Sequence, residues 1–430
     1  MLLKSLSLIS VILIGVGGAS ATNDKKEKLL NAIESNLPHA LKTLQKSVNI
    51  NSGTMNFEGV KAVGDLYQRE LDDIGFQTQW IDGSVFNRAG HLVAEYGTKG
   101  PKILMIGHLD TVFSQEDAFQ SAENLSNDLI KAPGITDMKG GDVIIIETVR
   151  ALKAAGVLDD VSIRIVMTGD EEASGKPLAK SKKAIIDAAI WADIALGFED
   201  GDSNIKTAVI ARRGSVNWSL DVVGRPAHSS QIFTDNVGYG AILESARILN
   251  SFREELSVIE NLTFNPGRIA GGTRINEDNA TATSTAFGKS NVVSKTLRVT
   301  GGIRALSPEQ LADAKAKMQS IVAASLPHTS ATLAFEEGYP PMAPTQANKQ
   351  LLALYSAASK ELGYGDVTAV KPRQAGAADI SFAADHVDMA LDGLGLMGSG
   401  GHTKEEIADM TSFKKNIQKA ALLILKLSEK

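Results

Sequence analysis

The sequence predicts an α/β protein in which a mostly parallel sheet is sandwiched by helices and a smaller α+β domain is inserted into the larger one. The chain has 430 residues, whereas a single hydrophobic core stops growing at roughly 250–300 residues. Short apolar runs alternate with amphipathic helical patterns in the first half of the chain, which is typical of strand–helix–strand units. After Gly214 the pattern changes to long alternating strands, which indicates a second unit.

Hydrophobic periodicity predicts the elements in order. We expect helices over 23–49, 57–74, 139–155 and 178–189, and strands over 91–96, 102–106, 161–167 and 193–198. The inserted domain has strands over 216–223 and 293–303, helices over 239–256 and 308–324, and a long loop over 269–290. Residues 351–362, 380–384, 387–391 and a C-terminal helix complete the larger domain. The larger domain therefore occupies 22–213 and 331–430, and the inserted domain occupies 214–330.

The first 21 residues are typical of an export signal. Lys4 supplies a positive charge, residues 6–16 are apolar, and Ala19-Ser20-Ala21 has the small-x-small pattern that signal peptidase cleaves. Ser and Gly interrupt the apolar stretch, which falls short of the ~20 residues that a membrane-spanning helix needs. We predict cleavage after Ala21 and a periplasmic or secreted protein that keeps no membrane segment.

Composition excludes several classes of partner and site. The 44 Lys and Arg and the 50 Asp and Glu are interspersed, and the net charge of −6 excludes the basic surface that nucleic-acid binding requires. The chain has no cysteine, so disulfides, thiolate metal ligands and a cysteine nucleophile are excluded together. Any metal ion would have to be bound by His and carboxylate side chains.

Candidate metal ligands follow the predicted strands, at the edge of the sheet where α/β proteins bind ligands. His108 and Asp110 come directly after the strand over 102–106, and three consecutive acids at 170–172 follow the strand over 161–167. Each motif alone has a simpler explanation, such as a surface turn, a helix cap or a solvated acidic loop. Because such residues end several successive elements, we favour a metal site. Its candidate ligands are His108, Asp137, Glu172, Glu199 and His402.

These ligands suffice for two metal ions with one shared carboxylate. Two hydrolytic ions lie roughly 3.5–4 Å apart and lower the pKa of the water between them to ~7. Glu171, next to the ligand Glu172, is the candidate general base that takes a proton from that water. Asp110 is a candidate for orienting the imidazole of His108.

The motifs, in their order along the chain, resemble a family of two-zinc amidohydrolases that includes glutamate carboxypeptidase, aminoacylase and succinyl-diaminopimelate desuccinylase. The matching segments are GHLDTV (107–112), GITDMKGG (134–141), TGDEEASG (168–175), LGFED (196–200), GRPAHSS (224–230) and GSGGHT (398–403). Glutamate carboxypeptidase is the most similar in spacing. The resemblance covers nearly the whole mature chain. It implies a zinc-peptidase-like domain whose inserted domain is a lid that forms a homodimer.

The resemblance also implies two zinc ions per subunit and a cis peptide bond after the shared acid. It assigns His108 and Glu199 to one ion, Glu172 and His402 to the other, and Asp137 to both. Asp200 follows Glu199 where the carboxypeptidases usually have Pro, so the residues alone leave either acid as the ligand. The aligned position favours Glu199.

Catalytic and substrate-binding roles follow from the same resemblance. Glu171 would be the general base, and Asp110 would orient the first imidazole ligand. His228 in the inserted domain would stabilise the oxyanion, reaching across a dimer. Asn291 and Arg304 would meet the carboxylate of the substrate.

We therefore expect a hydrolase that releases a C-terminal amino acid, with glutamate as one candidate, from peptides or N-acyl amino acids. Aminoacylase or dipeptidase activity is the alternative within the family. A periplasmic binding protein that keeps the fold without the chemistry is a further hypothesis, and the presence of Glu171 with all five ligands argues against it. The expected partners are a small substrate and a second copy of the chain.

Overall fold

The computed structural model describes residues 16–278 and 281–429, with side chains from Thr22 onward, so most of the predicted signal peptide lies outside the described residues. In that part of the chain, no helix combines the length and the apolar character that a bilayer crossing requires. The helices span Val16–Val48, Phe57–Ile74, Gly140–Ala154, Leu178–Ser181, Lys183–Trp191, Gly240–Leu256, Pro308–Ala323, Gln346–Glu361 and Met410–Ser428.

A six-stranded sheet forms the centre of the larger domain. Its strands in spatial order are Gln77–Asp82, Gly90–Tyr96, Ser162–Thr168, Lys102–His108, Ile194–Gly197 and Met389–Leu391. The last four run parallel to one another, and the first two add antiparallel pairs at one edge. The predicted α/β class with a mostly parallel sheet is therefore confirmed.

Helices cover both faces of the central sheet, which explains the continuous apolar runs in its strands. Ile103, Leu104 and Met105 are consecutive and all completely buried. Ile103 and Met105 belong to the core that includes the helix Gly140–Ala154, whereas Leu104 belongs to a second core that includes Lys183–Trp191. Because successive side chains of a strand point to opposite faces, a strand covered on both faces needs apolar residues at every position.

A separate four-stranded antiparallel sheet forms the inserted unit, which we call the lid (residues 216–335). Its spatial order is Thr263–Gly272, Thr296–Arg304, Val216–Gly224 and Thr329–Phe335. Helices of the lid pack against one face of this sheet, around a core that includes Trp218 and Phe252. Because Thr329–Phe335 pairs with Val216–Gly224, the lid sheet extends past the boundary predicted at residue 330.

The prediction of a long loop over 269–290 is wrong. The edge strand Thr263–Gly272 extends into this stretch, and Arg274–Asp278 and Thr283–Phe287 form a hairpin. The hairpin strands are largely exposed, so they carry no apolar face that would produce a period-two signal. The edge strand Gln77–Asp82, which the sequence did not predict, is exposed in a similar way.

A small sheet joins two loops that are far apart in the sequence. Gly398–Ser399 pairs with Ile407–Asp409, which in turn pairs with Leu129–Lys131. Glu123–Asn124 forms the outer strand. The chain between residues 399 and 407 is thereby held beside the chain that follows residue 131, next to the end of the central strands.

Candidate metal centre and active site

The carboxylate of Asp137 lies between two imidazoles. Its Oδ1 is 3.0 Å from Nε2 of His108, and its Oδ2 is 2.8 Å from Nε2 of His402. Two further carboxylates complete the cluster: Oε1 of Glu199 is 3.5 Å from the first Nε2, and Oε2 of Glu172 is 3.3 Å from the second. The structure thus brings together all five predicted ligands, in two groups that share Asp137.

The fold supplies these side chains from neighbouring strand ends and two loops. His108 ends its strand, and Glu172 and Glu199 follow the strands on either side of it. Asp137 precedes the helix of the central core, and the peptide bond after it is cis, as the resemblance implied. His402 adopts a left-handed backbone with a φ of 63°, a conformation that residues other than glycine rarely adopt.

Of the two neighbouring acids, Glu199 belongs to the cluster and Asp200 does not. A buried ion pair holds this turn: Asp392 accepts a hydrogen bond from the backbone N–H of Glu199 at 3.4 Å and pairs with Arg212 at 2.7 Å. Asp392 approaches the strand so closely that a Cβ at Gly197 would lie 2.3 Å from its Oδ1. Only glycine permits this approach.

The positive charge around the cluster is too small to compensate its carboxylates. Burial raises the pKa of Glu199, and the nearby Asp137 raises it further. The same two causes raise the pKa of Glu172 to about 10. Within the described ranges, the ion pairs of these three carboxylates are all with the two imidazoles, and the buried Oε1 of Glu172 has no hydrogen-bond partner. Imidazole and carboxylate donors around uncompensated negative charge fit a pair of divalent cations.

The imidazoles act as the positive partners of Asp137. Burial alone would raise the pKa of Asp137, but the hydrogen bonds from His108 and His402 outweigh it and lower this pKa. The same contact raises the pKa of His402. The two imidazoles therefore stabilise the ionised form of Asp137.

Asp110 positions the two acids that follow the adjacent strand. Its Oδ1 accepts a hydrogen bond from the backbone N–H of Glu171 at 3.0 Å. Its Oδ2 accepts hydrogen bonds from the backbone N–H of Glu172 at 3.2 Å and from the Thr54 hydroxyl at 2.6 Å. The His108 Nδ1 lies closer to the carbonyl oxygen of Asp110, at 2.9 Å, than to its carboxylate, at 3.6 Å. Asp110 thus contacts the imidazole through its backbone and the two acids through its side chain.

Glu406, which sequence analysis missed, holds the loop that carries Asp137. Its completely buried carboxylate accepts hydrogen bonds from the backbone N–H groups of Gly134 and Thr136 at 2.8 Å and of Asp137 at 3.2 Å. The Thr136 hydroxyl donates a further one at 2.9 Å. The only signal in the sequence is an acid shortly after the His402 motif, and such acids are common in surface loops.

A second group missed by sequence analysis lies behind Glu171. The completely buried Nζ of Lys182 is 2.9 Å from Oδ1 of Asp170 and 3.1 Å from Oδ1 of Asp379. The Tyr339 hydroxyl donates to the carbonyl oxygen of Glu171 at 2.8 Å and lies 3.2 Å from the same Asp379 oxygen. The lysine therefore neutralises two acids that support the backbone of the candidate base.

His228 and Asn291 lie together at one end of the lid. The backbone N–H of Ser229 donates to the carbonyl oxygen of Asn291 at 2.9 Å, and Nδ1 of His228 is 2.9 Å from the Ser230 hydroxyl. Within the part of the chain that the structure describes, neither side chain is hydrogen-bonded to the metal-ligand cluster. The contacts of His228 within one chain are therefore with its own loop of the lid.

Arg304 lies at the opposite end of the lid from Asn291. It ends the nine-residue strand Thr296–Arg304, whose start is near Asn291. Such a strand extends about 27 Å. Within a single chain, the two residues predicted to meet the same substrate carboxylate are thus too far apart to do so.

Two further arginines accompany Arg304 at the junction of the lid and the larger domain. Arg304 is the cross-strand partner of Thr263, whose hydroxyl accepts a hydrogen bond from Nη1 of Arg213 at 2.9 Å. Burial lowers the pKa of Arg213, and the nearby Arg304 and Arg373 lower it further. Among the described residues, no acid pairs with any of these arginines, and the buried Nε of Arg213 has no hydrogen-bond partner. This arginine cluster (213, 304 and 373) is suited to an anionic group of a ligand.

Comparison with known proteins identifies the family. Residues 104–426 match the sequence model of the family described as Peptidase family M20/M25/M40, and the chain belongs to this family. Carboxypeptidase G2 from Pseudomonas sp. (strain RS-16) is 26% identical over 415 residues, which cover 96% of this chain and 95% of that protein. The family expected from the motifs is confirmed, and the chain is a hydrolase of the metallopeptidase type.

Solved structures share the fold. Aminopeptidase PepT from Bacillus cereus ATCC 10987 superposes with a TM-score of 0.70 at 18% identity, covering 94% of this chain and 98% of that one. The YXEP protein of Bacillus subtilis, described as a dinuclear metal binding peptidase of the M20 family, gives a TM-score of 0.64 at 14% identity, with 92% and 99% covered. The combination of central sheet and lid is therefore the architecture of this family.

Replacing Lys182 by Met is expected to destabilise the fold by about 3–5 kcal/mol, because Asp170 and Asp379 would remain buried without their cation. The matched control is Lys183→Met. The neighbouring Lys183 is 65% exposed and pairs with Asp187 in solvent, so its loss should cost about 0.5 kcal/mol or less. Urea unfolding followed by circular dichroism measures both free energies. Equal losses would contradict the supporting role of Lys182.

Glutamine substitutions are expected to separate the base from the ligand. Glu171→Gln should keep the metal content and lower turnover at least ~10²-fold, because the proton acceptor is removed while the ligands remain. Glu172→Gln should instead lower the metal content. Metal analysis by atomic spectroscopy, combined with kcat, distinguishes the two variants. Equal metal loss in both would mean that the two acids have other roles than those assigned.

Proposed function

We propose that this chain is an exported, homodimeric two-zinc amidohydrolase that releases a C-terminal amino acid, with glutamate as one candidate, from peptides or N-acyl amino acids. The proposal rests on one observation: two imidazoles and three carboxylates converge with Asp137 shared between two groups, directly beside Glu171. Aminoacylase or dipeptidase activity of the same site is the alternative.

The chain offers a complete set of ligands for two ions. His108 and Glu199 would hold one zinc ion, Glu172 and His402 would hold the other, and Asp137 would contact both. When bound, the two ions supply Lewis acidity, which lowers the pKa of water and polarises the scissile carbonyl. Imidazole and carboxylate are ligands that zinc accepts in catalytic sites.

Glu171 would accept the proton of the attacking water and then donate it to the leaving amine. Burial raises the pKa of Glu171 well above its ordinary value, and the nearby Asp379 raises it further. A carboxyl group with a raised pKa is suited to both proton transfers, because its proton affinity is closer to that of the groups it serves. Asp110 and Tyr339 hold its backbone at 3.0 Å and 2.8 Å, respectively.

The arginine cluster supports a substrate with a free carboxylate next to the scissile amide. Arg213, Arg304 and Arg373 have no acidic partners in the described residues and would repel the ammonium group that an aminopeptidase must bind. They would attract a C-terminal carboxylate, most strongly through bidentate hydrogen bonds. This argument favours the release of C-terminal amino acids, and it holds equally for a carboxypeptidase and an aminoacylase.

The position of His228 supports action across a dimer. His228 and Asn291 lie at the end of the lid remote from Arg304, about 27 Å along the strand. We infer that Arg304 serves the site of its own chain, whereas His228 and Asn291 serve the site of a second copy. His228 would stabilise the negative charge that develops on the carbonyl oxygen of the substrate.

Chelation is expected to abolish hydrolysis, and zinc is expected to restore it, with cobalt or manganese as partial substitutes. About two equivalents of zinc per chain should be needed, because the ligand set serves two ions. The assay is amino-acid release from a panel of N-acyl amino acids and dipeptides, which also identifies the preferred residue. A fully active protein without transition metal would overturn the proposal.

Two inactive variants are expected to complement each other. In a mixed dimer of Glu171→Gln and His228→Ala, one site carries both defects and the other carries neither. Random reassociation makes half of the dimers mixed, so roughly a quarter of the wild-type activity should return. Each variant dissociated and reassociated alone is the control. Mixed dimers that remain as inactive as the parents would show that His228 does not act across the dimer.

A further inference from the structure

A cavity of about 460 Å³ opens directly beside the metal-ligand cluster. Its walls are residues 53–56, 111–112, 114–116 and 172–173, so the ligand Glu172 forms one side of it. The volume is within the range of roughly 300–1,000 Å³ that is typical of sites for small organic ligands. Glu116 is the other charged residue of the lining, and it belongs neither to the metal-ligand cluster nor to the arginine cluster.

Exposed apolar side chains stand among the polar residues that line this cavity, and its charged residues are acidic. Met55 and Val112 expose 63% and 41% of their surface, respectively, and Ala173 is the third apolar residue of the lining. The charged residues of the lining are Glu116 and Glu172, and no described Lys, Arg or His contributes to it. An uncharged apolar group would cover the exposed side chains, whereas an anionic group would be repelled.

The loop that carries Met55 is held firmly against the metal centre. The Thr54 hydroxyl donates to the Asp110 carboxylate at 2.6 Å, the same carboxylate that positions the candidate base. The backbone N–H of Thr54 donates to the carbonyl oxygen of Thr111 at 3.1 Å, and the N–H of Thr111 donates to that of Ser52 at 2.9 Å. The cavity is therefore preformed, which lowers the entropic cost of binding.

The cavity and the arginine cluster adjoin different ligands of the metal centre. The cavity borders Glu172. The arginine cluster is on the Glu199 side, because Arg213 directly follows Arg212, whose partner Asp392 accepts a hydrogen bond from the backbone of Glu199. A substrate whose carboxylate binds the arginines and whose amide lies at the metal centre would extend its acyl group towards the cavity.

We propose that this cavity binds the acyl half of the substrate and selects an uncharged apolar acyl group, such as an octanoyl chain, over acetyl and over anionic groups such as succinyl. This inference rests on the proposed function, because it requires an amide whose amine side carries the carboxylate. Met55 and Val112 are the residues that determine the preference, and Glu116 disfavours an acyl carboxylate.

The first test compares kcat/KM of the zinc-loaded enzyme for N-octanoyl, N-acetyl and N-succinyl derivatives of L-glutamate and L-alanine. The octanoyl derivatives should exceed the acetyl derivatives ~10-fold or more, because several methylene groups leave water. The succinyl derivatives should be the poorest. Met55→Ser should lower the octanoyl-to-acetyl ratio several-fold, and Met55→Leu should retain it. Val85→Ser is the control, since Val85 is 62% exposed and lies outside the cavity.

The second test reverses the charge of the cavity. Glu116→Lys should raise kcat/KM for N-succinyl relative to N-acetyl derivatives several-fold, because an ammonium would then face the acyl carboxylate. Glu123→Lys, at an exposed position outside the cavity, is the matched control and should leave the ratio unchanged.

The third test measures binding without turnover. In the Glu171→Gln background, calorimetry should give N-octanoyl-L-glutamate a Kd at least ~10-fold lower than N-acetyl-L-glutamate, and Met55→Ser should remove the difference. Hydrolysis of acetyl and octanoyl derivatives at equal rates, or a preference for succinyl, would overturn the acyl assignment and leave the proposed function standing. If the zinc-loaded enzyme hydrolysed no derivative at all, both would be overturned.

Discussion

The concentration of negative charge at the carboxyl edge of the central sheet is the constraint on which the rest of the site depends. Glu171, Glu172 and Glu199 approach the shared carboxylate of Asp137 in a partly buried space, and burial raises the pKa of each glutamate. Carboxylates that repel one another away from water cannot all be ionised without compensation. The imidazoles supply part of this compensation. Because negative charge remains uncompensated, a pair of cations is the simplest way to balance it.

In the described part of the chain, the surrounding residues hold the backbone of the acidic turns in place and add no positive side chain to the cluster itself. Asp110 and Glu406 hold the acidic turns through backbone N–H groups. Lys182 and Arg212 lie behind the ligands and pair with other buried acids, which are Asp170, Asp379 and Asp392. A cation inside the cluster would compete with metal, whereas one behind it stabilises the scaffold and leaves the ligands free. Supporting contacts of this kind set the geometry of a metal site.

The lid divides the proposed substrate contacts between two places. Arg304 remains at the junction with the larger domain, close to Arg213, while His228 and Asn291 lie at the far end of the same sheet. An antiparallel strand is nearly inextensible, so one lid cannot serve both positions of a single site. On the proposed function, a complete site then needs two chains, and the dimer would be part of the active site as well as of the quaternary structure.

Much of the candidate site could be predicted because its signals are local. The helix Phe57–Ile74 has the predicted bounds, and His108 directly ends an apolar run, which is visible in a few consecutive residues. Glu406 and Asp392 could not be predicted, because their partners are 270 and 180 residues away and no local pattern encodes such pairings. The hairpin over 274–287 was missed since exposed strands lack an apolar face.

The sequence by itself therefore determined the α/β class, the family and four of the candidate ligands (His108, Asp137, Glu172 and His402), since each depends on short motifs and on periodicity. Only the tertiary structure decided that Glu199 rather than Asp200 joins the cluster, that Arg304 and Asn291 lie apart, and that a cavity opens beside Glu172. These are distances between segments that are remote along the chain. These distances are set by strand order, by the length of a strand and by packing. They cannot be predicted from residues that are neighbours in the sequence.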